Sequence, residues 1–116
     1  MKSLAEPFKT ADAVSTAANF TTAPYDTAAF FGISWQIIAT GTPTGNLTLQ
    51  MSNDRLNWTT QPTDAVNAVN PTIYSGAAKN DFLVYHTMRP MKWYRFAWAG
   101  SGTGTITIWG CGIRLG

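Results

Sequence analysis

Between Gly45 and Trp58 the chain reads GNLTLQMSNDRLNW, and apolar side chains recur at every second position. Leu47, Leu49 and Met51 alternate with Asn46, Thr48, Gln50 and Ser52. Successive side chains of a strand point to opposite faces, so this period of two predicts a strand with one buried and one polar face. Asn53 and Asp54 can bond their own backbone through short side chains and so stop the strand, and Asn57 precedes a tryptophan able to cover the edge of a core. The segment predicts a hairpin of a small β-sandwich, architectural and without catalytic groups.

The same pattern extends from Phe30 onward. Ile33, Trp35, Ile37 and Ala39 share one face of a long strand, and GTPTG at 41–45 reads as a turn into the hairpin. The stretch 61–68 carries Pro62, Thr63 and Asp64 and no alternation, which predicts a loop before a short strand at 71–74 and a turn at 76–79. Phe82, Val84, His86 and Met88 alternate with Leu83, Tyr85 and Thr87, so both faces are partly apolar, as in an inner strand that ends before Pro90. Tyr94, Phe96 and Trp98 form the next inward row, SGTG at 101–104 reads as a tight turn, and Ile106 and Ile108 belong to the final strand. About seven short strands at these spacings predict an all-β fold, an antiparallel β-sandwich or jelly roll, over residues 30–116.

Residues 1–29 differ in texture, rich in Ala and Thr, with Pro7 and Pro24 and isolated large side chains at Leu4, Phe8, Phe20 and Tyr25. Ala-rich sequence around 12–18 favours a short helix, but Thr and Ser weaken it and no apolar stripe supports one. The segment reads as an extended N-terminal arm. It is either a frayed terminus or a strand donor ordered by contacts outside its own sandwich.

At 116 residues the chain is one domain, large enough to bury a core without a disulfide framework. Only 12% of its residues are charged, about half the usual share. Such a surface is either covered by copies of itself and other proteins or is a neutral, Thr-rich sheet face in water. The net charge of +2 is too small to draw the chain onto nucleic acid or anionic lipid, so neither is an expected partner. Arg89, Lys92 and Arg95 interleave with Trp93, Tyr94 and Phe96, which suits a solvated sheet edge. The first residues, MKSLAEPFKTADAV, lack the apolar run of a secretory signal, and no stretch reaches transmembrane length.

Titratable groups are sparse. His86 lies in an alternating strand with no nucleophile context beside it, and Cys111, between Gly110 and Gly112, reads as a small buried filler; their separation has none of the paired spacing of zinc sites. Asn53, Asp54 and Asp64 lack the ligand spacing of a calcium loop and fit turns. These residues predict no catalysis, no metal and no cofactor. The sequons at Asn19, Asn46 and Asn57 matter only in a secreted chain. Of five tryptophans, Trp35 and Trp98 fall on inward rows, which leaves Trp58, Trp93 and Trp109 as candidates for a sugar-stacking platform.

Taken together, GNLTLQMSNDRLNWTT, KWYRFAW and SGTGTITIWGCG, within residues 33–112, resemble small β-sandwich virion proteins of tailed bacteriophages. The chain departs from that pattern at Arg55, where glycine is usual. The resemblance implies a structural protein of the particle, such as a capsid decoration (cement) protein that bridges capsid subunits, or a head-fibre or tail component. It also implies assembly in the host cytoplasm, with major capsid or other virion proteins and further copies of the chain as partners, a trimer being the expected oligomer. The SNDRLNW segment is similar to one in discoidin-like carbohydrate-binding domains, which makes glycan binding or host adhesion the alternative expectation.

Overall fold

A computed structural model describes residues 3–27, 30, 32–60, 72–77, 82–87 and 92–115, with side chains described for 5–27, 30, 32–60 and 92–113. The expected loop at 61–68 with Asp64, and Met88, Arg89 and Pro90, lie outside the described residues. All regular structure among the described residues is strand: β1 Ser3–Ser15, β2 Phe20–Thr21, β3 Tyr25–Asp26, β4 Gly32–Ser52, β5 Thr59–Thr60, β6 Thr72–Ala77, β7 Phe82–Thr87 and β8 Trp93–Leu115.

Two long strands organise the molecule. β4 and β8 pair antiparallel without a break, from Gly32↔Ile113 to Ser52↔Trp93. A straight strand of 21 residues would span about 70 Å, yet the longest dimension of the molecule is 45 Å. The pair is therefore folded. Trp35 shows how: its ring meets Phe96 edge-on at 4.9 Å and Tyr94 at 6.3 Å, although both belong to the far half of the ribbon, opposite Leu49 and Met51. One continuous sheet thus doubles over into two facing layers. The first layer contains β1, residues 105–115 of β8, residues 32–40 of β4, and β7; the second contains β2, β3, residues 93–100 of β8, residues 45–52 of β4, β5 and β6.

The fold line falls on the two glycine-rich segments. GTPTG and SGTG are not chain reversals, contrary to expectation; they face each other inside the paired strands, with Gly41↔Gly104, Pro43↔Gly102 and Gly45↔Gly100 in register. Gly41 and Gly102 hold φ of 78° and 97°, which a side chain resists, and a Cβ on Gly41 would strike the backbone of Thr103 and Gly104. Glycine lets both strands bend together with their ladder intact. At the first half of the expected turn at 76–79, β6 instead continues through Gly76 and Ala77 opposite Gly45 and Thr44, and residues 78 and 79 lie outside the described residues.

The N-terminal segment belongs to this same ribbon. β1, β2 and β3 follow β8 in succession from Leu115 down to Trp93, and buried Thr16, Thr22 and Thr27 donate backbone N–H bonds to Gly104, Phe96 and Lys92. Residues 3–27 pair within their own sandwich, in place of the frayed terminus or the strand donated outside it that the sequence suggests. The weak helix signal near 12–18 yields to a strand with an irregular step, Ala13 taking φ of 49° where the register shifts. Phe8 stacks on Tyr25 at 3.9 Å and meets Trp35 edge-on at 5.6 Å, so the segment fills the core as well.

Both predicted inward rows face that core. Leu47 and Leu49 are fully buried with Tyr94, Phe96 and Trp98, and Met51 packs against them, joined by Ile33, Trp35, Ile37, Ile106 and Ile108. No helix long and apolar enough to cross a membrane occurs among the described residues.

Candidate functional site

The loop that ends β4 is built around one carboxylate. Ser52 donates its hydroxyl to Asp54 Oδ1 at 2.8 Å, the backbone N–H groups of Leu56 and Asn57 donate to the same oxygen at 2.9 Å, and Asn57 Nδ2 donates to Oδ2. These donors, the backbone ones foremost, hold the Asp54 carboxyl well below the usual carboxylate range. Asn53 Oδ1 accepts from Lys92 N at 3.0 Å and ties the loop to the start of β8. Asn53 and Asp54, two of the three residues that sequence alone offers to a calcium ion, thus engage their oxygens in making the turn, and Asp64 lies outside the described residues. The chain then returns as β5, pairing Thr59 and Thr60 with Met51 and Gln50, which completes the predicted hairpin.

The three candidate tryptophans do not form one platform. Trp58 and Trp93 lie at this end of the second layer, both half-buried. Arg95 sits over Trp58 at 4.2 Å and is held there by Gln50 Oε1 at 2.7 Å, while Arg55 and Lys92 lie 4.6 and 5.4 Å from the Trp93 ring centre. Each such contact is worth roughly 0.5–1 kcal/mol at an exposed site, and the cation occupies a face that a sugar would need. Arg95 stands on a central strand rather than at the solvated edge expected of it, since β8 has neighbours on both sides.

Trp109 belongs to the first layer. Lys9 covers its ring at 4.7 Å and pairs with Asp12 at 3.4 Å. It stands beside a cleft of about 320 Å³ lined by Pro7, Ser34, Trp35, Gln36, Trp109 and Cys111. The register explains the grouping: Pro7, Cys111 and Ser34 lie on one rung across β1, β8 and β4, and Lys9, Trp109 and Gln36 on the rung two residues along. Cys111 is half-buried in this cleft rather than a filler of the core. The backbone of His86 lies opposite Ser34, one strand further across; its side chain lies outside the described residues.

Sequence reading missed the cations over the tryptophans and the whole cleft. The alternation of Lys9 with Phe8 and Thr10 was available, but only the pairing of β1 with β8 places Lys9 beside Trp109. Among the described residues no group of three or more His, Cys, Asp or Glu side chains converges as a metal site.

No protein-family model and no curated protein matches the chain. Solved structures do. The crystal structure of YomS, a protein derived from the SPBc2 prophage, superposes with a TM-score of 0.64 at 13% identity, over 98% of this chain and 96% of that one. The likeness shows a shared fold. Weaker resemblances, which add no argument, are to the enzymatically active domain of tailspike protein 4 of bacteriophage CBA120 and to the capsid asymmetric unit of cyanophage Pam1. Their TM-scores are 0.49 and 0.38 at 15% identity each, over 96% and 98% of this chain and 19% and 84% of theirs.

Proposed function

We propose that this chain is a non-enzymatic structural protein of a tailed-phage particle, a capsid decoration (cement) protein that bridges and stabilises neighbouring subunits in the virion. The observation that carries the reading is the superposition with a prophage-derived protein over nearly the full length of both chains. The chain's composition supports it: with only 12% of its residues charged, the chain has a surface suited to being covered by protein. A bridging protein adds buried area across subunit junctions, so many modest contacts resist internal pressure without one strong site.

Mass spectrometry of gradient-purified particles of the phage that encodes the chain tests the role. Many copies per head are expected, together with reduced heat resistance of heads made without it; absence from purified heads overturns the proposal. Trp109, partly exposed beside the cleft, is the observation favouring glycan recognition instead. Binding of a defined sugar, lost in a folded Trp109→Ala variant, would replace the shell reading with adhesion.

A further inference from the structure

Three large apolar side chains are exposed among the described residues: Leu56 at 83%, Ile113 at 38% and Trp109 at 37%. They divide between two surfaces. Leu56 stands at the tip of the 53–57 loop, and the Asp54 bonds on either side of it leave that tip little freedom. Ile113 and Trp109 share one face of β8 with Cys111, the face that bears the cleft of about 320 Å³. One surface offers a stiff apolar projection and the other an apolar recess.

We propose that Leu56 of one copy of the chain seats in the Trp109 cleft of a second copy. Size permits it, since the recess is about twice the roughly 150 Å³ cavity that accepts benzene. The two features cannot meet within one molecule, because Leu56 follows the second layer whereas the cleft lies on the first layer's outer face, turned away from it. A second copy is the occupant that supplies both partners of the contact.

The area sets its strength. The outer face of β1, β8 and β4 over nine residues covers about 14 by 30 Å, on the order of 400 Å². Counting both copies gives about 800 Å², below the roughly 1,200 Å² of a stable standard interface. A single contact is therefore weak. Its two patches are unlike, so each copy carries one projection and one recess, and the contact either repeats around a ring or is reciprocated in a two-fold pair. Either closure joins several weak contacts into one persistent assembly.

The inference deepens the self-association included in the shell reading, and it is tested without particles, so that particle composition and solution assembly fail separately. Leu56→Asp removes the projection at an exposed loop position; Gln36→Arg blocks the recess from an exposed strand position. The sole cysteine, Cys111, lies in the recess and reports its occupancy through the rate of maleimide labelling. Sedimentation of the wild type should show a dimer or ring that grows with concentration, with Cys111 labelling slowed at least several-fold. Each variant alone should sediment as a folded monomer with fast labelling. An equimolar mixture retains one weak contact per pair and no closure, so near millimolar concentration Cys111 of the Leu56→Asp copy should be protected relative to that copy alone at the same concentration. A wild type that stays monomeric to about millimolar concentration, assembly that survives either substitution, or a mixture at that concentration in which Cys111 of the Leu56→Asp copy is labelled as fast as in that copy alone overturns the proposal. So does assembly that leaves Cys111 labelling unchanged.

Discussion

Arg55 holds φ of 63°, a left-handed conformation that costs a side-chain-bearing residue about 1–2 kcal/mol relative to glycine. Its guanidinium over Trp93 returns about 0.5–1 kcal/mol. The strain exceeds the return, so Arg55→Gly should raise stability by up to about 1 kcal/mol in urea unfolding; a loss would mean that the contact with Trp93 outweighs the backbone. The neighbouring Asp54 gives a pH dependence. Its pKa is lower in the folded state than in the unfolded chain, so its contribution is present above about pH 4 and is lost as pH falls through the acid range. The melting temperatures of wild type and Asp54→Asn should accordingly differ at neutral pH and converge on acidification. Two buried indoles form a second contrast. Trp98 Nε1 donates to Thr16 O at 3.0 Å, whereas Trp35 Nε1 has no partner among the described residues. Trp98→Phe should therefore cost about 1 kcal/mol more than Trp35→Phe in matched denaturation curves. At this scale the sequence is partly legible: Asn53 and Asp54 announce a turn, and the missing glycine at Arg55 marks the strained position. Arg95 over Trp58, Arg55 over Trp93 and Lys9 over Trp109 are not legible, because each comes from another strand or the far side of a loop; only Lys92 neighbours its tryptophan, Trp93, in sequence.

At the scale of elements, alternation identifies the inward rows correctly because burial on one face imposes a period of two wherever a strand lies in the sheet. Glycine punctuation misleads at 41–45 and 101–104 for a physical reason. Glycine permits a positive φ in a reversing turn and equally in a bend shared by two paired strands, and local sequence does not say which. The distinction is measurable: a tight turn at the surface would absorb a methyl group, but a Cβ on Gly41 meets the partner backbone. Gly41→Ala should cost about 2–5 kcal/mol, combining left-handed strain with overpacking. The N-terminal segment was unreadable as part of the sandwich because its buried contacts are threonines and widely spaced aromatics rather than a continuous row. Its removal now has the opposite expected outcome from that of a detachable arm. A chain lacking residues 1–29 should lose cooperative unfolding by circular dichroism, since it leaves β8 unpaired on one side and uncovers Trp35 where Phe8 had lain.

At the scale of the whole molecule, β8 is the strand to which most others answer: β1, β2 and β3 lie along one side of it and β4 along the other, and Ser3 pairs with Leu115. Contacts so distant along the chain require large loops to close before they stabilise anything, which places refolding in the millisecond-to-second range typical of non-local β topologies. Stopped-flow tryptophan fluorescence measures it directly. The same connectivity governs how the protein is made. While residues up to about 90 emerge from the ribosome, the N-terminal strands have no β8 to pair with and β4 lacks its principal partner. Only the pairings of β4 with β5, β6 and β7 are available ahead of β8. A ribosome that stalls or terminates before β8 releases a chain whose first three strands have no partner and whose layers lack the strand that runs through both, leaving it open to proteolysis.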